Sequence, residues 1–194
     1  MDALADFIDL ERYPIDDLES CAGRTLIESC QGMMGERAIC ALKGFLRPVL
    51  LQAISDEVTH LESTMRRVDF PATPYGWLKN AGFSTSHPRS RVFDRRCGVL
   101  TRDQLDPEGL CVRLFQFPEL TEFVRQLLGY EQLFNSACPN ISVRLNIMEP
   151  GDEFGWHYDT NDGAVSLVLQ SAEEGGDFEY APLIRSEEEE NYDR

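Results

Sequence analysis

The residues best suited to metal chemistry are a histidine and an aspartate two positions apart, His157 and Asp159. On a β-strand, residues i and i+2 point to the same face. An imidazole nitrogen and a carboxylate oxygen at this spacing can therefore reach one metal ion. The alternative is a solvated pair on a surface strand, because H-x-D sequences occur by chance in many proteins. The chain has three histidines, and the other two, His60 and His87, are distant in sequence.

Short strands are predicted on both sides of this pair. Apolar residues occupy alternate positions from 141 to 147, which indicates a strand with one apolar face. Residues 149–152, Glu-Pro-Gly-Asp, predict a turn. We expect three further strands, at 156–159, 164–170 and 177–181. Such a succession is what a double-stranded β-helix, or jelly roll, requires.

The first part of the chain, residues 1–138, reads as mainly helical with long loops. A helix entry is predicted near Pro14 and a short strand at 38–42. The clearest helix begins near Pro48, where apolar residues recur at i+3 and i+4. Residues 70–108 show little periodicity, so we expect long loops there with at most one short strand. A further helix is predicted from Pro118, ended by a glycine at position 129.

These elements predict an α+β fold in which N-terminal helices pack on a partial jelly-roll barrel. We expect a single domain, 1–194, with 139–194 as the first half of the barrel core. The sheet face that carries Arg144 and Asn146 is expected either to line the barrel and contact a cofactor, or to be an outer, solvated face.

Charge and composition exclude several classes of partner. The chain carries 18 basic and 34 acidic residues, a formal net charge of −16. Nucleic-acid binding requires a basic surface, so we expect no nucleic-acid partner. No apolar run approaches the ~20 residues of a membrane-spanning helix, so we expect no membrane partner. No secretory signal is visible, which predicts a cytoplasmic protein with six reduced cysteines.

Three arginines are candidates for binding an anionic or carboxylate group of a small-molecule substrate. Arg89 and Arg91 lie in the only locally basic stretch of the chain. Arg185 either pairs with a substrate carboxylate or forms a surface salt bridge. For the stretch around Arg89, the alternative is a solvated loop. The run of glutamates at 187–190 is expected to be an exposed acidic segment.

The second half of the chain resembles the Fe(II)- and 2-oxoglutarate-dependent dioxygenases. It is most similar to the bacterial small-molecule branch that contains free-amino-acid hydroxylases and related halogenases. The matching segments are 144–146, 149–152, 157–159, 165–170, 174–180, 182–185 and 190–192. Upstream, segments 12–14 and 43–46 also resemble this branch.

The resemblance implies a specific chemistry. His157 and Asp159 would bind Fe(II) as two members of a two-histidine-one-carboxylate triad, with 2-oxoglutarate and O2 at the remaining positions. An Fe(IV)-oxo species would then hydroxylate a small molecule such as a free or modified amino acid. Halogenases carry a small residue where Asp159 stands, so the resemblance favours hydroxylation over chlorination. The alternative is a catalytically inactive protein of this fold that acts as a binding or structural module.

One part of the family pattern is missing from the sequence. The family places a distal histidine, followed by a basic residue for 2-oxoglutarate, several dozen residues after the H-x-D motif. The sequence has 35 residues after Asp159, and none of them is a histidine. We therefore expect a truncated barrel that binds iron weakly and forms homo-oligomers through an open barrel edge.

Overall fold

The computed structural model describes residues 3–76, 82–159, 163–186 and 188–192. Within them, the fold combines helices with an open antiparallel sheet, and is therefore α+β, as predicted. The helices are α1 (Leu4–Phe7), α2 (Cys21–Arg37), α3 (Pro48–Thr59), α4 (Leu110–Gln116) and α5 (Pro118–Leu128). The strands are β1 (Arg66–Ala72), β2 (Phe93–Thr101), β3 (Arg144–Ile147) and β4 (Glu153–Phe154).

Local sequence accounts for the bounds of the long helices. The Ser20 hydroxyl caps α2 by accepting a hydrogen bond from the Gly23 amide at 3.0 Å. Pro48 and Pro118 each open a helix, at a position where the missing N–H costs no hydrogen bond. Gly129 ends α5 in the left-handed conformation, with φ of 71°. The predicted helices at Pro48 and Pro118 are thus confirmed, whereas the helix after Pro14 begins only at Cys21.

Strand β2 is the centre of the sheet. On one side, the whole of β1 pairs with the first seven residues of β2, 93–99. On its other side, β3 pairs with Gly98–Thr101 and β4 pairs with Arg95 and Arg96. All of these pairings are antiparallel. The prediction of long loops with at most one short strand across 70–108 is therefore wrong in part, because that range contains the last three residues of β1 and all nine residues of β2.

The helices pack on one face of this sheet. Leu100 of β2 lies opposite Leu145 of β3, and both point into the core shared with the helices. Among the described residues, the other fully buried side chains in this core are those of Phe7, Ile8, Ile15, Leu50, Ile54, Val112 and Cys30. Because side chains alternate along a strand, Arg144 and Asn146 point to the opposite face of the sheet.

Several predicted strands are absent. Residues 38–42 are irregular, since Ala38 ends α2 in the left-handed conformation and the chain then turns at Gly44. Residues 156–159, 164–170 and 177–181 also form no strand. Alternation alone does not make a strand, because the backbone must also find a neighbouring strand to bond. The predicted strand at 141–147 exists only over Arg144–Ile147.

The sheet is open, so the jelly-roll barrel is not confirmed. All six cysteines are free thiols, and Cys30, Cys97 and Cys111 are buried. In the described ranges of the chain, no helix is both long and apolar enough to cross a bilayer.

Candidate functional site

His157 and Asp159 lie in the irregular segment that follows β4. Their nearest donor atoms, Nε2 of His157 and Oδ1 of Asp159, are 3.5 Å apart. Both side chains are partly exposed. The predicted strand is absent, yet the two donor atoms still meet on one side of the segment.

The main chain of Gly155 orients the histidine. Nδ1 of His157 lies 2.8 Å from the Gly155 carbonyl oxygen. A carbonyl only accepts hydrogen bonds, so Nδ1 carries the proton and, in the neutral ring, Nε2 presents its lone pair towards Asp159. Metal-binding histidines are commonly oriented by such a bond from the second ring nitrogen.

Gly155 allows the segment to approach the sheet closely, because glycine has no side chain at this point. A Cβ placed on Gly155 would lie 2.4 Å from Cβ of Phe93, at the start of β2. Any larger residue would therefore push the chain away from β2. The sequence Phe154-Gly155 thus sets the distance between the donor pair and the sheet.

A third protein donor does not join the pair. In the described ranges, no three or more His, Cys, Asp and Glu side chains converge as a metal site. His60 lies at the end of α3. His87 stacks between Phe83 and Tyr192, with ring centroids 4.4 Å and 4.6 Å away. Neither histidine is brought to His157.

Arg144 and Asn146 form a polar pair on the sheet face away from the helices. Nε of Arg144 donates to Oδ1 of Asn146 at 3.0 Å. The register of β2 and β3 puts them opposite Thr101 and Val99. Cys97, further along β2, shares this face and is close enough to Arg144 for the two side chains to hydrogen bond.

Arg95 belongs to the same face and was not predicted from the sequence. Burial lowers the pKa of its guanidinium, and the charge of Arg144 lowers it further, while Cys97 and Asp159 act in the opposite direction. The Nε atom of Arg95 is buried and has no hydrogen-bond partner in the described part of the chain. Two arginines therefore lie within electrostatic reach of each other, and the Asp159 carboxylate also acts on Arg95.

Phe154 connects this arginine pair to the donor pair. The Arg95 guanidinium stacks on the Phe154 ring at 4.3 Å, and that ring lies 5.6 Å from the His157 ring. The predicted metal donors and the predicted cofactor-binding residues are thus neighbours. The sequence analysis does not single out Arg95 because it predicts loops across 70–108, and it does not single out Phe154, which lies in β4 just before the donor pair. The alternation of Phe93, Arg95, Cys97 and Val99 was the available signal.

Two of the three predicted substrate arginines meet in a second cluster, beside Tyr75. The Arg89 guanidinium lies 4.1 Å from the centre of the Tyr75 ring. The Arg185 guanidinium lies 3.9 Å from the ring of Tyr158, which is itself 5.2 Å from Tyr75. Arg91 does not join this cluster; its nearest aromatic contact is Phe93, at 5.8 Å.

Glu190 completes this Tyr75 cluster. The Tyr75 hydroxyl donates to Oε2 of Glu190 at 2.5 Å, and Nη1 of Arg185 is 3.7 Å from the same oxygen. Burial raises the pKa of Tyr75, and the contacts with Glu190 and Tyr192 raise it further. Tyr75 therefore stays protonated and remains a donor. The expectation of a purely exposed acidic run is wrong for Glu190.

The predicted turn at 149–152 is present and is held by Arg67. The Asp152 amide donates to the Glu149 carbonyl at 2.9 Å, and Gly151 has φ of 87°. The Arg67 guanidinium binds both carboxylate oxygens of Asp152, at 2.9 Å and 2.5 Å, and contacts Glu149 at 3.1 Å. This arrangement lowers the pKa of Asp152 to about 2, chiefly through the hydrogen bond from Arg67. The turn immediately precedes β4 and so helps to position the donor pair.

Comparison of the chain with protein-family models, with curated proteins and with solved structures finds no match.

Proposed function

We propose that the chain binds Fe(II) through His157 and Asp159 and uses 2-oxoglutarate and O2 to hydroxylate a small molecule, such as a free or modified amino acid. The observation that carries this proposal is the meeting of an imidazole nitrogen and a carboxylate oxygen at 3.5 Å, near Arg95, whose buried Nε has no hydrogen-bond partner among the described residues. These are the two chemical features that the iron and its dicarboxylate co-substrate require.

His157 and Asp159 provide two of the ligands that an iron ion needs. Two lone-pair donors that point at each other repel unless a proton or a cation lies between them. A neutral imidazole and a carboxylate are standard ligands of non-haem iron. His157 and Asp159 would thus hold two positions of the ion, and other ligands would have to supply the rest.

The arginine face supports binding of 2-oxoglutarate. Arg95 and Arg144 lie within electrostatic reach of each other, and Nε of Arg95 has no partner in the described residues. A carboxylate between them would relieve their repulsion and accept paired hydrogen bonds from a guanidinium. Asn146 would orient such a group by donating from its amide. Bound iron would supply the activation of O2; these residues supply charge and orientation.

The remaining features favour a hydroxylase in a jelly-roll fold. Asp159 provides a carboxylate at the position that halogenases leave to a halide, which favours hydroxylation. Strands β1–β4 would form part of one sheet of the barrel, with the face of Arg95 and Arg144 turned inward. Arg89 and Arg185, on the far side of Tyr158, are the candidates for holding the substrate. Arg91 is a weaker candidate because it lies apart from them.

A second candidate function is a non-catalytic binding or structural module of the same fold. The observation that favours it is that no third protein donor joins His157 and Asp159 in the described residues. Such a module would retain the sheet and the arginine face but would not bind iron tightly.

Metal titration and turnover separate the two candidates. The oxygenase proposal predicts that Mn(II), titrated anaerobically by calorimetry, binds one site per chain. It also predicts that Fe(II) with 2-oxoglutarate develops a charge-transfer absorption band and slowly forms succinate in air. His157→Ala should weaken Mn(II) binding at least tenfold, since even indirect changes around a metal typically cost 10–100-fold. His60→Ala is the matched control and should change nothing.

If neither Mn(II) binding nor succinate formation is detected, the module is favoured and the oxygenase proposal fails. If binding is tight but survives His157→Ala, the metal site lies elsewhere and the assignment of the donor pair is wrong.

A further inference from the structure

The Tyr75 cluster brings Tyr75 together with residues from three other segments of the chain. Arg89 comes from the turn before β2, Tyr158 from the donor segment, and Arg185 and Glu190 from the last described residues. The Tyr158 amide donates to the Pro74 carbonyl at 2.7 Å, which holds the two tyrosine rings together. Both guanidinium groups stack on these rings, which leaves the N–H groups at their edges directed away from the rings.

Charge in the cluster is not balanced. Arg185 is within ion-pair distance of Glu190, whereas Arg89 has no carboxylate within that distance in the described part of the chain. The polar contact of Arg89 is instead the Tyr192 hydroxyl, at 3.3 Å. The cluster therefore holds two arginines and one carboxylate, which pairs with Arg185 alone, in a chain whose formal net charge is −16.

The contact between Glu190 and the arginines is also incomplete. At 3.7 Å, the Arg185–Glu190 pair is too long for a hydrogen bond, so within the described residues the tyrosine hydroxyl supplies the one hydrogen bond to this carboxylate. An ideal guanidinium–carboxylate pair makes two parallel hydrogen bonds. The arginines thus have unused capacity to bind a carboxylate.

The side chain of Glu190 is held by Tyr75 and Arg185, and its backbone lies between a local turn and an anchored tyrosine. In the turn before it, the Ser186 amide donates to the Glu189 carbonyl at 2.9 Å, and the Ser186 hydroxyl accepts from the amides of Glu188 and Glu189, at 3.3 Å and 3.1 Å. Two positions later, Tyr192 contacts the His87 ring and Arg89. Rotation of the Glu190 side chain breaks neither the turn nor the Tyr192 contacts, so its carboxylate can leave the cluster without disturbing a strand or a helix.

We propose that the Tyr75 cluster is a carboxylate-binding site in which Glu190 is an internal ligand. A small molecule that carries a carboxylate and an apolar or aromatic body replaces Glu190 beside Tyr75, Arg89 and Arg185. The exchange breaks the Tyr75–Glu190 hydrogen bond and forms bonds from Tyr75 and the two guanidinium groups to the incoming carboxylate. This inference rests on the proposed function in that it names the chemical class of ligand at the substrate arginines, but binding at the Tyr75 cluster itself requires no iron.

The test uses phenylacetate as the probe and phenylacetamide as its neutral counterpart. Binding is measured by calorimetry with the full chain, in buffer freed of metals on a chelating resin, so that the outcome is independent of iron. Glu190→Gln removes the competing charge and should tighten phenylacetate binding about tenfold, the scale of one charge-assisted hydrogen bond. Glu189→Gln removes a neighbouring charge of the same acidic run and should leave binding unchanged. Phenylacetamide should show no measurable binding to the wild-type chain or to either variant.

Two further substitutions locate the probe. In the Glu190→Gln background, Arg89→Met and Arg185→Met should each weaken phenylacetate binding at least tenfold, while Arg144→Met on the sheet face should not. Circular dichroism and thermal unfolding verify that each variant is folded. Equal binding to the wild-type chain and Glu190→Gln would overturn the proposal, as would equal binding of the amide. Loss of binding in Arg144→Met instead of Arg89→Met would move the probe to the sheet face and overturn it as well.

Discussion

Arg67 of β1 and Asp152 of the turn before β4 are joined by two parallel hydrogen bonds, of 2.9 Å and 2.5 Å. The pair lies on the same sheet face as Gly98, away from Arg95 and Arg144. It connects an edge strand to a turn 85 positions later in the sequence. Because β4 pairs with β2 over only two residues, this ion pair is a main support of the segment that carries His157 and Asp159.

This relationship predicts a specific pH dependence of stability. The pKa of Asp152 is lowered to about 2 in the folded protein, whereas an unfolded aspartate titrates near ~3.9. The ionised carboxylate therefore stabilises the fold at pH above about 4, and this stabilisation is lost as the pH falls towards 2. Asp152→Asn should lower the urea midpoint at pH 6, and the difference from the wild-type chain should shrink between pH 4 and pH 3. Glu153→Gln, which changes an exposed charge on β4, should show no such pH-dependent difference in urea midpoint. A difference between Asp152→Asn and the wild-type chain that does not change with pH would contradict the assignment.

The arginine face predicts how 2-oxoglutarate binding responds to substitution. Arg95→Met and Arg144→Met should each weaken its affinity for the Mn(II)-loaded chain by about tenfold or more, since each removes a charge-assisted hydrogen bond. Arg37→Met is the control, because this exposed arginine lies in the last turn of α2, away from the sheet face. Calorimetric titration measures the affinities. An effect of Arg37→Met as large as that of Arg95→Met would show that general charge, and not this face, attracts the anion.

The close contact of Gly155 with β2 predicts a steric effect on the donor pair. Gly155→Ala would place a methyl group within 2.4 Å of the Phe93 Cβ, so the segment must move away from the strand. We expect at least a tenfold loss of Mn(II) affinity with a smaller loss of thermal stability. The control is Gly32→Ala in α2, where the added Cβ would meet no atom within 4 Å beyond the nearby backbone of its own helix. That change should raise stability by up to ~1 kcal/mol, because alanine favours a helix over glycine. Unchanged metal affinity in Gly155→Ala would contradict the role of this contact.

We expect Leu100 to contribute strongly to the free energy of unfolding, because it packs the sheet against the helices. Leu100 is fully buried near the end of β2, opposite Leu145. Leu100→Ala should destabilise the fold by about 2–5 kcal/mol, through lost apolar burial and the cavity that remains. Val165→Ala is the control, since that valine is 62% exposed, and it should change stability by less than ~0.5 kcal/mol. Urea unfolding measures both; similar values for the two variants would show that β2 is not part of the core.

The sequence by itself determined the elements that depend on near neighbours. The periodicity after Pro48 and Pro118 predicted α3 and α5, and Gly129 predicted where α5 ends. The Glu-Pro-Gly-Asp turn was likewise predicted, whereas the strand predicted to place His157 beside Asp159 is absent. In the helices and the turn, the relevant interactions span about four residues, so local sequence is enough to specify them.

Only the tertiary structure decided which extended segments become strands and which distant side chains meet. Residues 164–170 alternate as a strand should, yet they have no strand partner, whereas β2 lies at the centre of the sheet despite its charged start. The meeting of Arg95 with Arg144, and of Tyr75 with Glu190, joins residues about 50 and 115 positions apart. Pairing at such separations depends on how the whole chain packs, because strand hydrogen bonds and buried charges are satisfied by partners that local sequence does not specify.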